Sequence, residues 1–185
     1  MKKSIAIFIF AVCLVAGFTT AVSAQGRSTK EVVIGRMINY DHPSGWFSMS
    51  VPENWKIKDN SDDDEVIVGI TDPTQNAVVV ISVWESSTRM SQEDLTDYLS
   101  NFLDNRLGTF KNFKQGEPEV QGDGSVGIFF RYDSEVSGGS FPMVGNSFIE
   151  QRGKRIALLS VILPKEQYDR KVTPLTKFIN SLSLN

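Results

Sequence analysis

The sequence predicts an α+β fold, an α/β/α sandwich around a largely antiparallel sheet. Several short stretches alternate apolar and polar residues and follow one another across tight turns, a pattern that favours antiparallel neighbours. The stretch 156–163 is apolar on both of its faces, which indicates a strand covered on both sides. Two segments have apolar residues at helical spacing and would provide that cover.

The first half of the chain is predicted to form strands. In residues 46–51, Phe47, Met49 and Val51 point one way, and Trp46 and the two serines point the other way. Strands over 66–70 and 77–84 are separated by residues 72–76, which have strong turn chemistry. The acidic run before residue 66 is typical of a solvated turn.

A helix is predicted to begin at Ser91. The Ser91 hydroxyl can cap free backbone N–H groups, and Asp94 is the reciprocal partner three residues later. Gly108 is the expected C-cap. The apolar face of this helix consists of Leu95, Tyr98, Leu99, Phe102, Leu103 and Leu107.

Three sequential strands and a last helix complete the prediction. The strands cover residues 125–133, 141–151 and 156–163, with a turn at 137–140. Pro174 would break a continuous helix in the tail. Thr173 is therefore predicted as the N-cap, with Pro174 in the first turn of a helix over residues 174–182.

The N-terminus has the pattern of a secretory signal peptide over residues 1–24. Two lysines precede an apolar run, and Val22 and Ala24 supply the small residues at the cleavage site. The apolar run is shorter than the ~20 residues of a membrane span. The one cysteine, Cys13, lies inside this segment. Residues 25–36 are predicted as a flexible lead, and residues 37–185 as a single domain.

Charge and hydropathy exclude several classes of partner. The chain has 19 Lys and Arg against 22 Asp and Glu, and removal of Lys2 and Lys3 leaves 17 against 22, a formal charge of −5. An acidic domain is a poor match for nucleic acid. We also expect no stable membrane insertion after signal cleavage, since no second apolar run is long enough to span a bilayer.

Residues 40–55 carry a family resemblance. They read Tyr-Asp-His-Pro-Ser-Gly-Trp-Phe-Ser-Met-Ser-Val-Pro-Glu-Asn-Trp, which resembles the opening of PsbP/Mog1-like domains, where a short turn leads into a strand ending in Pro-x-x-Trp. The order of later elements is also similar, so the resemblance covers roughly residues 37–184. It implies an α/β/α sandwich. PsbP is a lumenal extrinsic subunit of photosystem II, Mog1 binds a small GTPase, and neither brings a catalytic motif that fits here.

The residues needed for most enzyme sites are missing. Outside the signal segment there is one histidine, His42, and no cysteine, which excludes Cys/His zinc sites and cysteine nucleophiles. Ser44 is near His42 in sequence, but no Gly-x-Ser-x-Gly elbow is present. No phosphate-binding glycine loop is present either. We expect no enzyme activity, no catalytic or metal residues and no cofactor.

Two groups of residues are candidates for binding. Tyr40, His42 and Trp46 are a candidate partner or ligand surface, because aromatic residues are enriched at interfaces. Trp46 is expected to be the most exposed tryptophan, while the other two are expected in the core or at its edge. The second group is an acidic run that offers carboxylates to a cation, although it lacks the spacing of an EF-hand loop. It consists of Asp62, Asp63, Asp64 and Glu65.

These observations predict a non-catalytic exported domain that binds an envelope or membrane protein complex as an accessory or assembly factor. The compartment would be the periplasm or the exterior, or the thylakoid lumen in a photosynthetic source. The alternative is a small-ligand or glycan-binding module that uses Tyr40 and Trp46. A hydrolase built on His42 is the third hypothesis.

Overall fold

A computed structural model describes residues 30–136 and 139–185. The predicted signal peptide and residues 137–138 of the predicted turn lie outside the described residues. The described strands are β1 (Met37–Asp41), β2 (Phe47–Pro52), β3 (Lys56–Asp59), β4 (Glu65–Thr71), β5 (Val78–Glu85), β6 (Lys111–Gln115), β7 (Glu119–Val120), β8 (Val126–Val136), β9 (Gly139–Arg152), β10 (Arg155–Pro164) and β11 (Ser183–Leu184). The described helices are α1 (Gln92–Leu107) and α2 (Lys165–Ile179).

One large antiparallel sheet organises the fold. Its strand order is β3-β4-β5-β10-β9-β8-β6, and β7 pairs with the first two residues of β8. A second sheet of three strands has the order β1-β2-β11. The predicted α+β class, with a largely antiparallel sheet and two helices, is confirmed. Neither described helix combines the length and the apolar character that a bilayer crossing requires.

Strand β10 lies at the centre and is buried on both faces, as its sequence predicts. Ile156, Leu158 and Ile162 pack into the core on the α1 side. The alternate residues Ala157, Leu159 and Val161 pack into the core on the α2 side. Since no side of β10 is left for water, both faces of the large sheet need cover.

Helix α1 covers part of one face. The Ser91 hydroxyl accepts a hydrogen bond from the Asp94 N–H at 3.1 Å, and the Asp94 carboxylate accepts one from the Ser91 N–H at 2.9 Å. The predicted capping box is therefore confirmed. Gly108 is the C-cap, with φ −58°, so the left-handed conformation common at this position is absent. The buried stripe consists of Leu95, Leu99, Leu103 and Leu107.

Helix α2 and the small sheet cover the other face. The ring of Phe178 meets Trp55 edge to face at 6.0 Å between centroids. Phe47 and Met49 point from β2 into the same core, as predicted for their strand. One helix and one sheet together cover the core on this side of the molecule.

The prediction for the last helix was wrong in its boundaries. Helix α2 begins directly after Pro164 and includes Pro174 in its interior. The proline interrupts the backbone ladder, but residues on both sides of it are buried. Gln167 lies before it, and Leu175 and Phe178 after it. Tertiary packing therefore keeps the helix continuous across Pro174, although proline by itself prefers the first turn of a helix.

The first described residues are tied to the domain. The N–H of Val32 donates to Oε1 of Gln167 at 2.7 Å, and the Val32 side chain is fully buried. Glu31 pairs with Lys171 of α2 at 2.9 Å. Residues 30–36 thus lack regular secondary structure but pack on α2, whereas residues 25–29 of the predicted lead lie outside the described range.

One observed cap and one predicted cap together test the helix boundaries. Ser91→Ala removes a capping box and should lower the free energy of unfolding by about 1 kcal/mol. Thr173→Ala lies at an exposed interior position of α2 and should leave stability unchanged or raise it by less than about 0.7 kcal/mol. Urea unfolding of both variants measures this. A loss of about 1 kcal/mol in Thr173→Ala would mean that the helix starts at Pro174 after all.

Gly145 tests the packing at the centre of the large sheet. A Cβ atom there would lie 2.4 Å from the Val161 carbonyl oxygen and 2.5 Å from the Phe130 ring. Gly145→Ala should therefore destabilise by about 1–3 kcal/mol, the usual range for overpacking. Gly122→Ala is the matched control because nothing lies within 4 Å of its Cβ position. Equal urea midpoints for the two variants would contradict the packing described.

Candidate functional site

A groove of about 700 Å³ opens on the α1 side of the large sheet. Helix α1 packs mainly against β6, β8 and β9. The part of the same face formed by β4 and β5 is therefore left without a helix. Every second residue of these two strands points into the groove, while the residues between them point into the core on the other side. The residues that line the groove include Ile67, Val80, Ser82 and Trp84. We call this cavity the helix-side groove.

Aromatic side chains form much of the groove. Trp84 of β5 packs against Tyr98 of α1, with ring centroids 5.4 Å apart. Tyr98 is 42% exposed. Phe102, one helical turn after Tyr98, lines the same groove, and Trp46 reaches it from the loop between β1 and β2.

Glu65 places a carboxylate in this aromatic environment. The Ser82 hydroxyl donates a hydrogen bond to it from the neighbouring strand. Burial raises the pKa of Glu65 above its ordinary value, and the nearby Asp62 charge adds to the rise, while the Ser82 hydrogen bond and Arg106 oppose it. Burial also raises the pKa of Tyr98, and the Glu65 charge contributes. Burial is thus the main cause of both shifts, and the charges of Asp62 and Glu65 add to it.

Two arginines lie on rings at the groove. The Arg106 guanidinium is 5.8 Å from the Phe102 ring centroid, and the Arg155 guanidinium is 5.5 Å from the Trp46 ring centroid. Both distances are within the range of cation–π attraction. Arg155 Nε is buried without a hydrogen-bond partner among the described residues, since the Glu85 carboxylate is 3.9 Å away.

The acidic run partly contributes to the groove. Asp62 Oδ1 accepts hydrogen bonds from the N–H groups of Asp64 and Glu65, which fixes the turn between β3 and β4. Asp63 and Asp64 line the groove with exposed side chains. Within residues 30–136 and 139–185, no three His, Cys, Asp or Glu side chains are grouped so that they could hold a metal ion.

His42 is buried in the loop between β1 and β2. Its Nδ1 lies 2.8 Å from Ser44 Oγ and its Nε2 lies 3.2 Å from Asp59 Oδ2. The Ser44 N–H donates to Nδ1, so Nε2 carries the proton that faces Asp59. The imidazole stacks on Phe47 at 5.2 Å and is contacted edge-on by Tyr40.

The structure separates the residues of the first predicted surface. Trp46 belongs to the helix-side groove, where it meets Asp63, Asp64 and Glu65 of the acidic run. Tyr40 of β1 is half-buried and contacts His42, which is 5% exposed inside the loop. Three further aromatic residues complete the groove, and the sequence predicts them only as core or helix-face residues. They are Trp84, Tyr98 and Phe102.

Comparison with known proteins finds the same fold at low sequence identity. No protein-family model matches the chain, and a comparison with curated proteins gives no match. A solution structure of cyanobacterial PsbP (CyanoP) from Synechocystis superimposes with a TM-score of 0.59 at 13% identity, covering 83% of this chain and 95% of CyanoP.

Two further structures agree. The Ran-binding protein Mog1p from Saccharomyces cerevisiae gives a TM-score of 0.54 at 8% identity, covering 81% of this chain and 96% of Mog1p. A Bacteroides thetaiotaomicron structure gives 0.51 at 13% identity, covering 83% of this chain and 49% of the other. Two of these three proteins match over nearly their full length, and this chain therefore has the PsbP/Mog1-like fold.

Proposed function

We propose that this protein is a non-catalytic exported domain that binds an envelope or membrane protein complex as an accessory or assembly factor. The helix-side groove is its binding surface. The observation that carries the proposal is the exposed aromatic lining of that groove.

The side chains of the groove suit contact with a protein segment. Tyrosine and tryptophan provide large contact areas at little loss of conformational freedom, and they are enriched where binding energy concentrates. Trp84, Tyr98 and Phe102 come from two elements that are anchored in the core, so the surface is already formed before a partner arrives. A preformed surface lowers the entropic penalty of binding.

Glu65 supports a binding role because its position is unfavourable for stability. Burial disfavours the ionised carboxylate, as the raised pKa reflects. A carboxylate with a raised pKa in a cleft is a candidate for a functional group. A neutral residue of the same shape would be the more stable choice, so we attribute Glu65 to binding.

A non-catalytic role agrees with the geometry around His42. Ser44 Oγ accepts the Trp46 N–H at 3.2 Å, and the Ser44 N–H donates to His42 Nδ1 at 3.2 Å. These bonds turn the serine oxygen back into its own loop, and Asp59 ties that loop to β3. A serine nucleophile needs an oxygen that reaches a substrate carbonyl beside oxyanion donors. We interpret this array as a support of the loop.

The fold and the N-terminus support the rest of the proposal. Mog1p, which has the same fold, is a Ran-binding protein, so this architecture can serve protein recognition. Residues 1–24 have the pattern of a signal peptide, from which we propose export to the periplasm, the exterior or a thylakoid lumen. Small-ligand or glycan binding is the second candidate, and its specific support is Trp46 at the groove.

Glu65→Gln tests whether the carboxylate is retained at the expense of stability. Where the folded pKa of a carboxyl exceeds its unfolded value, the folded state holds more protons between the two values, so unfolding becomes easier as pH rises through that window. Glu65→Gln should therefore be more stable than the original protein at pH 7, with a smaller difference near pH 4. Urea midpoints across this pH range, with exposed Glu117→Gln as the matched control, measure the effect. A less stable Glu65→Gln protein at pH 7 would contradict this interpretation.

Capture from membranes tests the proposed binding surface. The full chain, tagged at its C-terminus through a Gly/Ser linker, is crosslinked to solubilised membranes of its own organism and analysed by mass spectrometry. Tyr98→Ala should reduce recovery of the partner by about tenfold, the usual effect of truncating a central aromatic residue. Phe129→Ala is the matched control, because Phe129 is 41% exposed and Tyr98 is 42% exposed.

Either of two results would contradict the proposal. One is that a folded protein recovers no partner in repeated captures. The other is that Tyr98→Ala and Phe129→Ala recover the same partner equally well. Binding of a soluble sugar or metabolite with loss in Trp46→Ala, together with an empty membrane capture, would favour the second candidate.

A further inference from the structure

The helix-side groove has more negative than positive charge. Its lining includes one cationic side chain, Arg106, and four carboxylates. The carboxylates are Asp63, Asp64, Glu65 and Glu85. Apolar residues such as Val80 and Leu158 separate these charges, so a bound group meets both apolar and acidic atoms.

Glu65 makes no salt bridge in the described part of the chain, and Arg106 attracts it only from beyond 4 Å. No Lys or Arg nitrogen there comes within 4 Å of its carboxylate, and the Ser82 hydroxyl is its hydrogen-bond donor. A partly buried carboxylate gains more from a cation than an exposed one does, because it is less screened by solvent. A second cation brought within 4 Å of Glu65 would therefore form an ion pair that the described residues do not make.

The aromatic rings of the groove are also suited to bind a cation. Arg106 already lies over Phe102, and Arg155 lies over Trp46. Within the described residues, Trp84 and Tyr98 pack on one another with no cation over either ring. Aromatic faces next to carboxylates are a recurring way of recognising ammonium and guanidinium groups.

The size of the groove indicates what carries the cation. A volume of about 700 Å³ is within the range of ligand pockets and is large for one lysine side chain. A peptide segment with an apolar residue on each side of a basic one would fill it. The apolar neighbours would pack against Val80, Phe102 and Leu158.

We propose that the helix-side groove binds a lysine or arginine side chain, flanked by apolar residues, that a partner protein presents to Glu65 and to the Trp84–Tyr98 pair. This rests on the proposed function for the identity of the partner as a protein. The recognition chemistry itself depends only on the groove, so it can be tested with a defined probe.

The probe is an acetylated and amidated leucine–lysine–leucine tripeptide. Its control is the same peptide with norleucine in place of lysine, which keeps the alkyl chain and removes the charge. The full chain is titrated with each peptide, and heteronuclear NMR follows the indole N–H resonances. Trp46 and Trp84 report on the groove, whereas Trp55, whose indole N–H donates to the Val33 carbonyl oxygen at 2.8 Å, is an internal control.

The lysine peptide should shift the Trp84 resonance and leave that of Trp55 in place. It should bind at least about fivefold more tightly than the norleucine peptide, as expected for a partly exposed charge pair with an added ring contact. Glu65→Gln should remove this preference. Glu117→Gln, which makes the same change outside the groove, should keep it.

Three results would overturn the inference. They are equal binding of the two peptides, an unchanged preference in Glu65→Gln, and no binding of either peptide at Trp84. These results are distinct from failure of the proposed function. If membrane capture finds a partner but the lysine peptide does not bind, the inference fails alone. If the peptide binds as expected and no partner is captured, the proposed function fails and the cation site stands.

Discussion

Strand β10 imposes the constraint on which the rest of the structure depends. Its residues are apolar on both faces, so neither face of the large sheet can be left to water at the centre. The chain meets this requirement with different means on the two sides. One side has α2 and the β1-β2-β11 sheet, and the other has α1 alone.

The narrow cover on the α1 side leaves room for the helix-side groove. A single helix is narrower than a sheet of this width, and the leucine stripe of α1 is placed over β6, β8 and β9. Beside α1, the surface of β4 and β5 is a mixture of polar and apolar side chains. Glu65 and Ser82 alternate there with aromatic and aliphatic residues, a mixture that suits the proposed binding surface.

Local patterns were enough to predict much of the fold. The alternation in β2 and β8, the two apolar faces of β10 and the capping box at Ser91 all depend on residues close in sequence, and the structure has each of them. The start of α2 could not be predicted in this way. Its first turns are held by Gln167, which bonds to Val32 from 135 residues away, and such a contact leaves no local pattern.

The site was less accessible to sequence reasoning than the fold. The acidic run and Trp46 were singled out, but the groove also requires residues from three other elements. Tyr98 and Phe102 belong to the predicted helix face. They line an opening because α1 lies over β6, β8 and β9 and leaves β4 and β5 uncovered beside it. Likewise the pairing of His42 with Asp59 depends on the loop meeting β3 in space.

Site-specific photo-crosslinking in the native organism tests the central claim that the helix-side groove is the binding surface. A photoreactive phenylalanine analogue is placed at Tyr98 in one protein and at Phe129, on the opposite face of the sheet, in another. We expect a discrete crosslinked protein from position 98 and none from position 129. The same crosslinked protein from position 129, with none from position 98, would contradict the account.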